Sequence, residues 1–179
     1  MSTFNEKKAT QAAGRMLAFS GRRMNGMKLN KLLYLADREA ILRWGDPVTT
    51  DCFVFMKHGP VLSQIHTLMA EGHDPRLAAS VWSAAISRPQ DGEVALQGTT
   101  EFSQLSGAES DLLGDVFQEH GSRTPWELAD LTRRLPEWRD PKGSAIPFGV
   151  RELLAACGGP RTLPAQAEDE PGISLVFCW

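Results

Sequence analysis

The segment from Lys28 to Trp44 constrains the fold of this chain more than any other, because its apolar residues recur at the spacing of one helix face. That face consists of leucine, alanine and isoleucine side chains: Leu29, Leu32, Leu33, Ala36, Ala40 and Ile41. Gly45 follows where a helix often ends in a left-handed residue, and Pro47 then turns the chain. The pattern predicts a long amphipathic helix with one buried face and a sharp end.

Helical spacing also predicts shorter helices elsewhere in the chain. They are predicted over residues 5–19, 61–70, 106–120, 124–134 and 150–157. Ser106 and Thr124 are each followed three residues later by Glu, which is the capping-box pattern of a helix start. The polar residues 21–26 are predicted to be a connector between the first helix and the long one, and these two helices should pack together.

Two stretches have strand character. Residues 52–56 are rich in aromatic and apolar side chains, but the run is too short to distinguish a strand from a buried helical turn. Asp91-Gly92 lies between residues 85–87 and 93–96, an arrangement that predicts a β-hairpin. The predicted fold class is therefore α+β and mainly α-helical: a compact multi-helix domain with a small antiparallel hairpin or sheet.

The C-terminal residues differ in composition from the rest. Residues 1–157 are expected to form one domain, and residues 158–179 an acidic Gly/Pro linker followed by an apolar tail. The favoured interpretation is a terminal strand that docks on the domain, because a free apolar tail promotes aggregation. The alternative is a tethered hydrophobic peptide that is offered to a partner or a protease.

Composition and charge limit the class of protein. With 42% hydrophobic and 23% charged residues, the chain is an ordinary globular one. It has no apolar run of about 18 residues and its N-terminus carries mixed charge, so a cytoplasmic location is expected. Residues 1–50 hold nine Lys/Arg and four Asp/Glu, a charge of +5, which leaves −8 on the remainder of a chain with net charge −3. The acidic remainder argues against nucleic-acid binding. A role as a DNA-binding autoregulator is therefore the third of the candidate functions.

Signatures of catalysis and metal binding are weak. The chain has no nucleophile elbow, Walker loop or dinucleotide fingerprint, and its three cysteines do not form a zinc pattern. His58 and His66 would lie about 12 Å apart on a helix, too far to share a metal ion. No cofactor and no metal are therefore expected. One enzymatic alternative is kept, an acid/base cluster of Lys31, Tyr34, Asp37 and His58.

Residues 27–61, MKLNKLLYLADREAILRWGDPVTTDCFVFMKHGPV, resemble the Panacea domain of SocA-like antitoxins, a family that includes phage-associated proteins. The family opens with a similar Lys-Leu-x-Lys-Leu-Leu-Tyr helix, a Gly-x-Pro turn and an x-Gly-Pro-Val segment. A second patch resembles its later helices, with Trp126-Glu127-Leu128 and Trp138. There Arg133 replaces a histidine that is common in the family, so a role for that histidine is not carried over. The resemblance spans about residues 8 to 140.

The resemblance implies a mainly helical domain and a non-enzymatic role. Members of the family bind a protein toxin, and the SocA type acts as an adaptor that delivers its toxin to a ClpX-type protease. The expected partner is thus a toxin encoded nearby, with a ClpX-type protease as a further candidate. The resemblance does not name the toxin.

The matching positions divide into structural residues and candidates for partner binding. The structural set is Leu29, Leu32, Leu33, Gly45, Pro47, Gly59, Pro60, Trp126 and Trp138. Most of these residues build the core or fix backbone turns. The partner-binding set is Lys28, Lys31, Tyr34, Asp37, Lys57 and His58. This second set is hypothesised to form a polar network or groove edge, because tyrosine and basic residues suit interface anchors.

Overall fold

The computed structural model describes residues 3–72, 80–99 and 101–159. The described part contains seven helices, namely α1 (Glu6–Phe19), α2 (Gly26–Trp44), α3 (Ser63–Glu71), α4 (Val81–Ala85), α5 (Gly107–His120), α6 (Pro125–Thr132) and α7 (Val150–Ala156). It also contains five strands, namely β1 (Arg23–Asn25), β2 (Phe53–Met56), β3 (Gly59–Leu62), β4 (Glu93–Ala95) and β5 (Ile146–Phe148). The predicted α+β, mainly helical class is confirmed.

Helix α2 is the centre of the fold. Its leucines Leu29, Leu32 and Leu33 are fully buried, and the helix contacts α1, α5, α6 and β3. The Asn25 side chain accepts a hydrogen bond from the Lys28 backbone and caps the helix start. Gly45 has a φ of 87° and closes the other end, as predicted from the sequence. The long helix therefore positions every element that surrounds it.

The three-stranded sheet has the order β3-β2-β5, and both pairings are antiparallel. The undecided segment 52–56 is thus largely a strand. The predicted start of the next helix at Val61 was wrong, since Val61 pairs with Val54 and Leu62 with Phe53 before the helix begins at Ser63. Lys57 and His58 form the turn between β2 and β3.

A second, two-stranded sheet pairs β1 with β4. The polar connector predicted for residues 21–26 was therefore wrong in part, because residues 23–25 form a strand whose Met24 is buried. The hairpin at Asp91-Gly92 is present as two isolated bridges, Ile86 with Leu96 and Gln90 with Glu93. Helix α4 and strand β5 were not predicted, since three to five residues carry too little periodicity.

The predicted helix starts are confirmed by reciprocal hydrogen bonds. Ser106 and Glu109 form a capping box at α5, and Thr124 and Glu127 form another at α6. The predicted tail lies outside the described residues from residue 160 onward, so both interpretations of it, and the domain boundary, stay predictions. None of the described helices has the length and apolarity that crossing a bilayer requires.

Candidate functional site

Lys31 is a cation inside the protein. Its side chain is 1% exposed, and Nζ donates a hydrogen bond to the backbone oxygen of Pro60 at 2.7 Å. Burial, together with the positive charge of Arg133, lowers the pKa of Lys31 to about 7. A Cβ at Gly59 would lie 3.1 Å from Nζ and 2.5 Å from Oγ1 of Thr132. The missing side chain at Gly59 is therefore what gives the ammonium room.

Asn30 fixes the strand that covers Lys31. Its amide nitrogen donates to the backbone oxygen of Leu62, and its amide oxygen accepts from the backbone nitrogen of Leu62, both at 3.0 Å. Asn30 is 2% exposed, so this pair of bonds is protected from water. The bonds hold β3 against α2.

A cavity of about 350 Å³ opens beside Lys31. Among the residues that the structure describes, its lining is mainly apolar and contains no acidic residue: Gly26, Met27, Asn30, Lys31, Met56, Lys57, His58, Gly59, Val61, His66, Met69, Ala70 and Pro89. We call it the methionine cavity, after Met27, Met56 and Met69. Methionine side chains adapt their shape readily, so such walls suit more than one occupant.

An exposed aromatic pair lies at the rim of this cavity. The ring centroid of His58 is 5.3 Å from that of Trp126, in edge-on geometry, and Trp126 is 62% exposed. Lys57 beside them is exposed as well. We refer to Lys57, His58 and Trp126 together as the rim surface. It is a solvent-facing group of an indole, an imidazole and a cation.

Farther along α2, Tyr34 and Arg38 meet the carboxylate of Glu137. The Tyr34 hydroxyl donates to Oε1 of Glu137 at 2.8 Å, and Nε of Arg38 donates to the same atom at 2.7 Å. Arg38 also donates to Sγ of Cys157 at 3.1 Å. Burial and the charge of Glu137 raise the pKa of Tyr34, so its hydroxyl stays protonated. This network holds the chain near residue 137 against α2.

Asp37 is fully buried and belongs to a third environment. Its carboxylate accepts from the Thr49 backbone nitrogen at 2.9 Å and from the Thr49 hydroxyl. Burial raises the pKa of Asp37 to about 7, although the bonds from Thr49 lower it and the charge of Asp51 raises it. Asp51 in turn accepts from the backbone nitrogens of Cys52, Gln64 and Ile65. These carboxylates fix the loop after α2 and the start of α3.

The six residues predicted to bind a partner are therefore divided between the interior and the surface. Lys31, Tyr34 and Asp37 are buried, and each has a different internal partner. Lys57 and His58 are exposed, whereas Lys28 is half-buried and donates to the backbone oxygen of Gly121 at 2.6 Å. Only the exposed residues can contact a partner directly, and that role stays a prediction for them.

The same burial bears on the enzymatic alternative. Of its four side chains, Lys31 and His58 line one cavity, while Tyr34 and Asp37 are bonded to Glu137 and Thr49. The structure does not bring the four together as an acid/base cluster. Across the residues that the structure describes, no group of three or more His, Cys, Asp or Glu side chains is placed to hold a metal ion.

The structural role expected of Trp126 stays a prediction, because its side chain lies outside the core. Its indole is 62% exposed, whereas Leu29, Leu32 and Leu33 are in the core and Trp138 packs against the core. The cause is its position in the first turn of α6, where Leu128 and Ala129 take the buried face. The methionines of the cavity were also missed. The sequence carried a signal for the exposure of Trp126 but none for the methionines. Leu128 and Leu131-Thr132 already define the apolar side of that helix.

Several of the basic residues in positions 1–50 have partners within the chain. Lys8 pairs with Glu109 at 2.7 Å, and Arg23 pairs with Glu93 at 3.1 Å. Lys28 is bonded to Gly121, and Lys31 is buried. These contacts reduce the positive surface available to phosphates, which lowers the rank of the DNA-binding alternative further.

Comparison with known proteins agrees with this arrangement. Searches of curated proteins and of solved structures gave no match. The model of one protein family, described as "Antitoxin SocA-like, Panacea domain", matches residues 29–139. The match begins within α2 and includes β3, the rim surface and Glu137. It covers more than half of the 179 residues, and the chain therefore belongs to the SocA-like antitoxin family with the Panacea domain.

Proposed function

We propose that this chain is a non-enzymatic antitoxin that binds a protein toxin encoded nearby. Family membership supports the class of function, and the rim surface supports the place of contact. The observation that carries the proposal is the 62% exposure of Trp126 beside His58, inside the matched segment. Tryptophan is enriched among the residues that dominate binding energy at protein interfaces.

The neighbourhood of Trp126 suits an interface anchor. His58 of the aromatic pair and the neighbouring Lys57 both line the methionine cavity. A rigid indole beside adaptable methionines offers both a fixed contact and a surface that can adjust to a partner. We infer that the toxin covers the rim surface and that the buried Lys31, Asn30 and Gly59 hold this surface in position.

The test is co-expression of this chain with the reading frame next to its gene. The parent chain should restore growth that the toxin alone prevents. Trp126→Ala should weaken binding of the purified toxin by about 30-fold or more, which is about 2 kcal/mol, because a central aromatic anchor is lost. The dissociation constant is measured by calorimetry, and growth rescue is scored in parallel.

Trp44→Ala is the matched control. Trp44 is also a large exposed aromatic residue, at 45%, but it lies at the far end of α2, about 20 Å along the helix from Lys31. It should keep parental affinity within about threefold, and both variants should unfold within about 0.5 kcal/mol of the parent. Equal affinities of the two variants would place the interface elsewhere. A neighbouring product that is harmless and does not bind would contradict the antitoxin role itself.

The same cells distinguish two ways of neutralising a toxin. If the chain masks the toxin, the amount of toxin stays constant or rises while growth recovers. If the chain delivers the toxin to a ClpX-type protease, the toxin's half-life shortens and recovery depends on the protease. A pulse-chase of tagged toxin in strains with and without ClpX separates these outcomes.

A further inference from the structure

The environment of Lys31 is unusual for a buried cation. An ammonium group has three donors, and one is used by the Pro60 carbonyl. No carboxylate among the described residues pairs with it, and the charge that acts on it is that of Arg133, which has the same sign. Buried charges are normally paired, because leaving one unpaired in a low-dielectric interior is expensive. The contact with Pro60 alone does not account for a lysine here.

The space next to this cation has the properties of a ligand site. The methionine cavity, at about 350 Å³, falls in the range of small-molecule pockets, and its walls are mainly apolar. Lys57, His58 and His66 add side-chain nitrogen groups to a lining whose described residues include no carboxylate. The Asn30 amide is already paired with the Leu62 backbone, so Asn30 does not compete for a ligand.

We propose that the methionine cavity binds a small, mainly apolar carboxylate, with the Lys31 ammonium as its counter-ion. One charged oxygen pair would accept a strong charge-assisted hydrogen bond from Nζ, and the apolar body would cover Met27, Met56 and Met69. A phosphate or sulfate fits less well, because its additional oxygens would face methionine and valine walls without donors. The occupant is a free molecule, since the cavity is concave and of small-molecule size.

This inference goes beyond toxin binding and does not depend on it. The ligand site lies beside the rim surface, because Lys57 and His58 belong to both. An occupied cavity would stiffen the β2–β3 turn that carries them. The two activities are measured separately, so each can fail without the other.

The probe is octanoate, titrated into the full chain, with 1-octanol as the uncharged analogue of similar length. Octanoate should bind at least tenfold more tightly than octanol and should raise the melting temperature. In protein with ¹³C-methyl methionine, the signals of Met27, Met56 and Met69 should shift together. Equal binding of the two probes, or shifts confined to other methionines, would overturn the proposal.

Lys31→Met tests the counter-ion directly. It keeps the length and apolar stem of the side chain but removes the charge, and octanoate affinity should fall at least tenfold while octanol affinity stays the same. Lys7→Met, which removes an exposed charge outside the cavity, should change octanoate affinity by less than about threefold. An unchanged octanoate affinity in Lys31→Met overturns the assignment.

A second variant keeps the test decisive if Lys31→Met does not fold. Ala70 is exposed on α3 and lines the cavity, so Ala70→Trp fills the opening without entering the core. Ala70→Trp should abolish octanoate binding. The toxin affinity of this variant is measured in parallel. If octanoate does not bind the parent but Ala70→Trp weakens toxin binding, the cavity belongs to the protein interface and the free-ligand proposal is wrong. If octanoate binds and no toxin is found, the ligand site stands alone.

Discussion

At its amino-terminal end, α2 buries the cation Lys31 against a backbone carbonyl, whereas about two turns later it places the cation Arg38 against the carboxylate of Glu137. Both cations are directed toward chain segments distant in sequence. Arg38 has a charged partner, and Tyr34 donates to the same carboxylate. Lys31 has a neutral acceptor and a cavity beside it.

The difference separates a structural use of a buried charge from a functional one. At the Glu137 end, the donors and the acceptor are hydrogen-bonded to each other. The network therefore connects two segments of the chain and needs no ligand. At the Lys31 end, donors remain and an anion would complete the arrangement. Perturbed titratable groups beside a cavity are candidates for function, while equally buried but paired groups are not.

Glu137→Ala tests this comparison with the largest expected effect. The change leaves Arg38 half-buried without its carboxylate and removes the acceptor of the Tyr34 hydroxyl. The free energy of unfolding should fall by about 3–5 kcal/mol, the usual cost of removing one partner of a buried charge pair. Urea unfolding followed by circular dichroism measures it.

Glu93→Ala is the matched control for that variant. Glu93 pairs with Arg23, but the two side chains are 47% and 63% exposed. Such surface pairs contribute about 0–1 kcal/mol, so the control should stay close to the parent. A loss below 1 kcal/mol for Glu137→Ala would mean that the network does not hold the fold, and the two ends of α2 would no longer differ.

Gly59→Ala probes the other end with a smaller expected effect. Gly59 has a φ of 97°, and a Cβ there would collide with the Thr132 hydroxyl and press on Lys31. Gly143→Ala is the control, because Gly143 has a similar φ of 86° but open space around it. Both variants carry the backbone cost of about 1–2 kcal/mol, and Gly59→Ala should lose about 1–3 kcal/mol more from overpacking. Equal losses would show that the space around Lys31 is not tightly filled.

The sequence predicted the parts of the fold that have long periodic patterns. Helix α2 with its end at Gly45 follows from leucine spacing and one glycine, and the starts of α5 and α6 follow from capping boxes at Ser106 and Thr124. The short strands were missed or misassigned. Val61 was assigned to a helix because Pro60 resembles a helix start, and only the pairing with Val54 makes it a strand.

The candidate site was harder to predict for a different reason. Lys31, Tyr34 and Asp37 recur at every third position, which places them near one another on a helix surface. Their roles depend instead on what covers the helix: β3 over Lys31, and the segment carrying Glu137 over Tyr34, 103 positions away in sequence. A polar residue on a helix that is covered on several sides is buried, and this coverage is not visible in local spacing.

The finest test of the comparison is the pH dependence of stability in Lys31→Met. The pKa of Lys31 is lowered to about 7 by burial, from an ordinary value of 10.5, so between these values the unfolded chain holds a proton that the folded one has released. The parent should therefore gain stability as pH rises from about 7 toward 10, by about 1.4 kcal/mol for each unit of pH, and this slope should be absent in the variant. At pH 7 the variant should be more stable by about 1–3 kcal/mol, since an unpaired buried charge is replaced by an apolar group, and this advantage should shrink by pH 9.

Lys57→Met, which removes an exposed charge, should follow the parent at every pH. The free energies of unfolding of the parent and Lys31→Met could instead change with pH in the same way. In that case Lys31 keeps its proton over the whole range, and its charge is as well stabilised in the interior as that of Arg38.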